Sequence, residues 1–281
     1  MAVTSKVFYL SNFFITIGFL LGISTLLYPN ICSTDKVYFD QIRLTPQEER
    51  PIDEEYDSEI AAISSLEDMK RSIKKKVEDE KLSGIEIPIL IDNFVRNKFF
   101  HRASYLTSCK YWLLDLLNIT FPEFFFDTAM RPEDIIKKDY GICNQQAIVF
   151  QDIVQDFGFE YGSVRFATPN FGHFASAVKV DNSWFFFDSN LEPPYDRRNP
   201  NIFKSIIAVD KTVLNKMYEH RIKGTNLSFD QAKKGMITLS DINTFPAQRG
   251  VLVQDLSYLF SNFGWLLFLF IGILLRRTYK K

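Results

Sequence analysis

Two long apolar runs lie near the ends of the chain. Residues 7–28 and 256–275 contain no Asp, Glu, Lys or Arg, and about twenty apolar residues in a helix span the hydrocarbon core of a bilayer. The pattern therefore predicts one transmembrane helix at each end. A cleaved signal peptide is the alternative for the first run. That run is longer than the usual apolar core of a signal peptide, however, and no small-x-small cleavage site follows it.

Basic residues next to these runs predict how they are oriented. Arg276, Arg277, Lys280 and Lys281 follow the second run, and Lys6 precedes the first. The positive-inside rule then places both termini in the cytoplasm. The residues between the runs are predicted to lie outside the plasma (inner) membrane, in a periplasmic or extracellular space.

Between the runs, the pattern changes from polar to amphipathic. Residues 48–59 hold seven acidic side chains against one Arg, which is typical of a solvated spacer. Apolar positions at helical spacing then predict an amphipathic helix from Ile63 that ends at Gly84. Pro88 opens a second predicted helix, over residues 88–104.

A cysteine begins the helix with the clearest apolar stripe. Cys143, Ala147, Phe150, Val154 and Phe157 recur at spacings of four and three, and Gly158 follows. The positive end of a helix dipole favours the thiolate of a cysteine in the first turn. The unpaired N–H groups of that turn can also receive an oxyanion that develops on a substrate carbonyl.

Strand patterns follow this helix. Residues 161–168, 173–180 and 183–188 predict strands, and Asp181-Asn182 suits a tight turn between the last two. His173 begins one strand of this hairpin and Asp188 ends the other, so both side chains are expected at its open end.

Composition narrows the classes of function. The net charge is −1 over 281 residues, so nothing in the charge points to nucleic-acid binding. No glycine-rich phosphate loop occurs, and Cys32, Cys109 and Cys143 do not have zinc-site or disulfide-framework spacing. We predict no cofactor and no metal. A Cys32–Cys109 disulfide that leaves Cys143 reactive is one alternative for the thiols, while His101, Cys109 and His220 are interpreted as packed or surface residues.

Three motifs, in order, resemble the transglutaminase-like superfamily of the papain-type fold: GxCxxxA on a helix, GH at a strand start and W-x-x-x-D on the next strand. The resemblance covers roughly residues 85–195. It departs from the usual pattern at Ala175, where such sequences often carry an aromatic residue. It also leaves the oxyanion side chain unidentified, with Tyr140 as a candidate from proximity only. The residues that carry the motifs are Gly141, Cys143, Ala147, Gly172, His173, Trp184 and Asp188.

The resemblance implies an α+β core in which a catalytic helix packs on an antiparallel sheet. It implies that Cys143 attacks an amide or ester carbonyl, that His173 moves the proton and that Asp188 orients the imidazole. The predicted function is a bacterial, membrane-anchored cysteine peptidase or amidase. A transamidase or acyl transferase with the same triad, and a non-catalytic envelope or surface-polysaccharide assembly module, are the alternatives.

The expected partner is a protein or peptide substrate near the membrane surface, with cell-envelope or polysaccharide machinery as a further candidate and nucleic acid excluded. The predicted organisation is a cytoplasmic tail (1–6), a transmembrane helix (7–28), an acidic spacer with an amphipathic helix (29–84), a transglutaminase-like domain (85–225), a return linker (226–255), a second transmembrane helix (256–275) and a basic tail (276–281).

Overall fold

A computed structural model describes residues 2–31, 55–106, 111–114, 120, 128–169, 171–219 and 228–279. Cys32, Cys109 and His220, named above, lie outside the described residues. The helices and strands are α1 (Ala2–Ile31), α2 (Ser58–Ala61), α3 (Leu66–Glu80), α4 (Glu86–Lys98), α5 (Pro132–Ile135), α6 (Cys143–Asp156), β1 (Glu160–Thr168), β2 (Phe171–Val180), β3 (Ser183–Phe187), α7 (Pro200–Ile207), α8 (Lys211–Met217), β4 (Ile237–Leu239) and α9 (Gln248–Tyr279).

These elements form two units. One unit contains α1, α9 and the described residues from 105 to 128, and the other contains the remaining helices and the sheet. Each unit is built around its own contacts.

In the first unit, α1 and α9 pack against each other in opposite directions. The Ser11 hydroxyl donates to the Gly272 carbonyl over 2.8 Å. Further along α1, Gly18 and Gly22 lie against Leu269 and Trp265, which come progressively earlier in α9. Glycines four residues apart let helix backbones approach closely, as in transmembrane helix pairs.

The outer surface of this helix pair is strongly apolar. Large side chains such as those of Tyr9, Phe19, Leu26 and Phe270 are exposed, whereas Ser11 and others at the contact are buried. Within the described residues, Lys6–Leu27 and Gln248–Thr278 are long and apolar enough to cross a membrane. Large apolar groups outside and small or polar groups inside suit a lipid solvent better than water.

The second unit is centred on an antiparallel sheet of strand order β3-β2-β1-β4. The predicted turn at Asp181 and Asn182 joins β2 to β3, with φ values of 47° and 65°. Two adjacent residues at positive φ match the twist of the flanking strands, and Asx residues tolerate that conformation. The turn thereby fixes the register in which Ser176 pairs with Phe187.

Helices cover both faces of the sheet. On one face, α6 packs Phe150 against Phe187, with ring centroids 5.1 Å apart, and the Gln151 amide donates to the Ser176 hydroxyl. On the other face, α7 and α8 contribute Phe203 and Leu214 to an apolar cluster with β1 and β2. The α+β prediction, with the cysteine-bearing helix packed on an antiparallel sheet, is confirmed.

Some boundaries differ from those expected from the sequence. Helix α3 ends before Lys81, which caps it in the left-handed conformation at φ 53°, rather than continuing to Gly84. The segment assigned to a return linker supplies β4, in which Leu239 pairs with Val164. Its last residues begin α9 at Gln248. Short strands and polar helix ends carry little periodicity, so the sequence pattern misses them.

Gly272 has little room for a side chain at the contact between α1 and α9. A Cβ at position 272 would lie 3.0 Å from the Ile15 nitrogen and 3.1 Å from the Ser11 carbonyl oxygen. Because backbone atoms cannot move aside alone, we expect Gly272→Ala to lower the free energy of unfolding by about 1–3 kcal/mol. Detergent-solubilised full-length protein, titrated with SDS, provides the measurement.

Gly264→Ala is the matched control for this change. A Cβ at position 264 meets only the Phe260 side chain at 3.5 Å, an ordinary contact. Replacing a helical glycine with alanine at such a site stabilises by about 0.5–1 kcal/mol. Equal effects of the two substitutions would contradict the close approach of the helices at Gly272.

Candidate active site

Cys143 is the first residue of α6, and its side chain is half-buried. The first intrahelical bond of this end runs from the Gln146 N–H to the Ile142 carbonyl over 3.0 Å. The N–H groups of Cys143 and Asn144 precede that bond and lie at the positive end of the helix dipole. An anion forming at the cysteine would therefore meet donors that the helix itself leaves available.

His173 and Asp188 meet at the end of the β2–β3 hairpin. The His173 Nε2 atom lies 2.7 Å from Asp188 Oδ2, and the two side chains are 3% and 1% exposed. Asp188 directly follows β3, so the hairpin register brings its carboxylate diagonally across to the strand that carries His173. The expectation that both side chains lie at the open end of the hairpin agrees with this geometry.

Cys143 lies near enough to the same imidazole to contribute, through its charge and through hydrogen bonding, to the raised pKa of His173. Because Nε2 faces Asp188, Nδ1 is the ring nitrogen left for the thiol. A ring that donates its Nε2 hydrogen to a carboxylate leaves Nδ1 as the nitrogen that can exchange a proton with the thiol. The structure thus brings together all three residues singled out from the sequence.

Electrostatics within this group favour ionised partners. Burial alone would lower the pKa of His173, but the charge of Asp188, its hydrogen bond and the contact with Cys143 raise that pKa above its usual value. Burial alone would raise the pKa of Asp188, yet the charge and hydrogen bond of His173 bring it below its usual range, with help from Tyr218 and the Leu191 amide. An imidazolium beside a carboxylate is therefore the favoured state near neutral pH.

Aromatic rings enclose the imidazole. The ring centroids of Phe171, Phe166 and Tyr218 lie 5.3, 5.5 and 6.1 Å from that of His173. Such an apolar enclosure keeps water from competing for the hydrogen bond to Asp188, which strengthens it. The rings also hold the imidazole in one orientation.

A buried ionic network lies behind Asp188. The Arg96 guanidinium donates to the Asp188 backbone carbonyl over 3.0 Å and to Asp92 Oδ2 over 2.8 Å. Asp92 also accepts from the hydroxyl of Ser189, over 2.7 Å. Helix α4 therefore fixes the backbone of Asp188 through Arg96 and the side chain of Ser189 through Asp92. The charges of Arg96 and Asp92 neutralise each other.

A second support holds the start of α6. The Gln145 amide is fully buried, and its oxygen accepts from the N–H groups of Ser104 and Ile142. Its nitrogen donates to the carbonyls of Ser104 and Ala129 over 2.7 and 2.8 Å. One side chain, two residues after Cys143, thus ties together three stretches of backbone.

Two other residues noted in the sequence lie near the start of α6, His101 in the segment after α4 and Tyr140 in the loop before Cys143. His101 pairs with Asn190 over 2.6 Å, and Asn190 donates to the Gly141 carbonyl over 3.3 Å. The ring of Tyr140 packs on Phe100, with centroids 5.7 Å apart. His101 therefore lies beside the loop that precedes Cys143, outside the hydrogen bonds that join His173 to Asp188.

Sequence reasoning did not identify Asp92, Arg96, Gln145 or Tyr218. A signal existed for the first two, because an Asp and an Arg four residues apart interrupt the apolar pattern of α4. Gln145 and Tyr218 carry no local signal. Among the described residues, no group of three or more His, Cys, Asp or Glu side chains could hold a metal ion.

The fold and the site have the arrangement of a transglutaminase-like domain: a helix-borne cysteine beside a histidine and aspartate on an antiparallel sheet. A sequence model described as a transglutaminase-like domain matches residues 57–211, more than half of the chain. The protein belongs to this family. No curated protein and no solved structure gives a significant match. The match includes Cys143, His173 and Asp188, begins ahead of α3 and ends before Tyr218.

The Gln145 contacts lead to a prediction about stability. Gln145→Ala removes the partners of buried backbone groups in Ser104, Ala129 and Ile142, and each unsatisfied group is costly. We expect a loss of about 2–4 kcal/mol in the free energy of unfolding. Gln155→Ala, at an exposed position of the same helix, should change it by less than about 0.5 kcal/mol. A chemical denaturation midpoint that responds equally to both would show that the buried amide does not hold the site.

Proposed function

We propose that this protein is a cysteine hydrolase that cleaves amide bonds, with Cys143 as nucleophile, His173 as acid–base and Asp188 as orienting carboxylate. The observation that carries the proposal is the 2.7 Å bond between His173 and Asp188, with Cys143 close enough to the same ring to raise the pKa of His173. Membership of the transglutaminase-like family supports it. A cysteine at the first position of a helix supplies the oxyanion donors that the chemistry needs.

The reaction proceeds through a thioester. In the resting site His173 already holds the thiol proton, and the Cys143 thiolate forms a bond to the substrate carbonyl carbon. The carbonyl oxygen becomes an oxyanion near the N–H groups at the start of α6. When the carbon–nitrogen bond breaks, His173 gives that proton to the leaving amine.

Water completes the cycle. His173 removes a proton from water as its oxygen attacks the thioester, and Cys143 leaves as a thiolate beside the imidazolium. The products are a carboxylic acid and an amine. If an amine replaces water in this step, the product is a new amide, which is the transamidase alternative.

The two apolar helices support a membrane location for this chemistry. We infer that α1 and α9 cross the plasma membrane in opposite directions, with both termini in the cytoplasm and the domain outside. The antiparallel packing of α1 and α9 fits two crossings, and the basic residues after the second run fit the positive-inside rule. A domain joined to the membrane on both sides would act on peptides or proteins close to the bilayer surface.

Alkylation of Cys143 tests the catalytic proposal. In the detergent-solubilised full chain, iodoacetamide should modify Cys143 at pH 7 about tenfold or more faster than an ordinary thiol, because the imidazolium stabilises the thiolate. His173→Ala and Asp188→Asn should remove most of this advantage. Peptide-resolved mass spectrometry separates Cys143 from Cys32 and Cys109, and Cys143→Ala provides the blank.

Asp196→Asn is the matched control for the aspartate change, since Asp196 is exposed. In the Asp196→Asn variant, the labelling rate of Cys143 should equal that in the unmodified chain. Slow labelling of Cys143 that is indifferent to His173 would refute the hydrolase proposal. The protein would then be better described as a non-catalytic, membrane-anchored module for envelope or surface-polysaccharide assembly.

The orientation has its own test. In a chain with Cys32, Cys109 and Cys143 changed to serine, we expect a membrane-impermeant maleimide to label Lys75→Cys on intact cells but not Thr278→Cys. Both positions are exposed, so the difference reports the side of the membrane. Labelling of Thr278→Cys alone would place the domain in the cytoplasm.

A further inference from the structure

The carboxylate of Asp188 has a second side-chain partner that the triad does not include. Its Oδ2 atom accepts from the Tyr218 hydroxyl over 2.7 Å, the same distance as from His173. Its Oδ1 atom accepts from the Leu191 N–H over 3.2 Å. The carboxylate oxygen that orients the imidazole is therefore shared between histidine and tyrosine.

Tyr218 is held firmly in this position. It directly follows α8, which Asp210 caps through the N–H groups of Thr212 and Val213. The tyrosine side chain is fully buried, and its ring lies 5.6 Å, between centroids, from both Phe171 and Phe229. The hydroxyl thus reaches Asp188 from a residue that lies beyond the family match, which ends at residue 211.

The tyrosine stays a donor over the accessible pH range. Burial, followed by the negative charge of Asp188 and the hydrogen bond to it, raises the pKa of Tyr218 well above its usual value. A phenol that keeps its proton can only donate to a carboxylate. Asp188 Oδ2 therefore accepts two side-chain hydrogen bonds. The His173 donor can lose its proton as the pH rises, whereas the Tyr218 donor keeps its proton.

We propose that Tyr218 is a positioning residue of the active site, which holds Asp188 and limits how strongly Asp188 binds the proton of His173. This inference rests on the proposed function. A second donor disperses the carboxylate charge, so that the imidazolium is held less tightly. His173 must give its proton to the leaving amine, and a proton held too tightly slows that step.

The proposed role depends on the hydroxyl of Tyr218 rather than on its ring. A phenylalanine at position 218 would fill the same space between Phe171 and Phe229. Burial of a hydroxyl costs free energy unless the hydroxyl is hydrogen-bonded, so the tyrosine is tolerated here because it donates to Asp188. The titratable or charged groups that act on Tyr218, Asp188 and His173 are Cys143, Arg96 and Tyr195. None of them replaces the donor to Asp188 Oδ2 in the described residues.

Tyr218→Phe in the full chain, solubilised in detergent and labelled with ¹³C-histidine, tests the inference. The pH at which His173 loses its proton is read from its ¹³Cε1 shift, which His173→Ala assigns. Without the hydroxyl, Asp188 should hold the proton more strongly, so this pH should rise by about one unit. A tyrosine with purely structural importance would leave it unchanged.

Tyr195→Phe is the matched control. The Tyr195 hydroxyl donates to the Phe186 carbonyl over 2.7 Å and makes no bond to the proposed triad. We expect it to leave the His173 titration in place. Equal titrations in the two variants, with labelling of Cys143 still dependent on His173, would overturn the role of Tyr218 and leave the hydrolase proposal standing.

Two further outcomes remain distinguishable. If alkylation of Cys143 in the unmodified chain does not depend on His173, the hydrolase proposal fails and the inference about Tyr218 fails with it. If Tyr218→Phe does not fold, 3-fluorotyrosine introduced at position 218 by codon suppression keeps the ring and strengthens the donor. The His173 titration should then move to lower pH, and no movement would overturn the inference.

Discussion

A carboxylate removed from water needs hydrogen bonds to its oxygens and a nearby positive charge, and Asp188 meets these needs with groups from distant parts of the chain. His173 and Tyr218 donate to one oxygen, the Leu191 amide donates to the other, and Arg96 fixes the adjacent backbone carbonyl. An unpaired charge in this position would cost several kcal/mol. The helix that carries Arg96, the β2–β3 hairpin and the segment after α8 therefore all contribute to the environment in which this carboxylate is buried.

Cys143 differs from the pair that it faces. It is half-buried rather than closed off, and the start of its helix is held by Gln145 through backbone groups of Ser104, Ala129 and Ile142. The proposed nucleophile must be reached by substrate, whereas the proposed base and its orienting carboxylate benefit from exclusion of water. The site thus combines a buried histidine–aspartate pair with a half-buried cysteine at the start of a helix.

The helix pair of α1 and α9 buries a different class of side chain from the sheet unit. In the sheet unit, apolar side chains such as Phe150 and Phe187 are buried, while around α1 and α9 the large apolar groups face outward and Ser11, Gly18 and Gly272 lie at the contact. Lipid provides no hydrophobic drive to bury a leucine, so close packing and hydrogen bonds decide which residues meet. The outward-facing apolar groups of α1 and α9 are consistent with a helix pair that lies in a membrane.

Local patterns in the sequence determined much of this protein. The apolar runs, the helix that starts at Cys143 and the Asp181-Asn182 turn depend on neighbouring residues, and the turn places His173 and Asp188 at one end of a hairpin. The strand Ile237–Leu239 is too short to show a periodic pattern. Lys81 ends α3 in a left-handed conformation, which a lysine in the sequence does not predict. Only the tertiary structure placed Arg96, Gln145 and Tyr218 at the site, because their partners are separated from them along the chain or are backbone atoms. Periodicity records which face of an element is buried, whereas the hydrogen-bond partner of a buried polar group is decided when separate elements pack together.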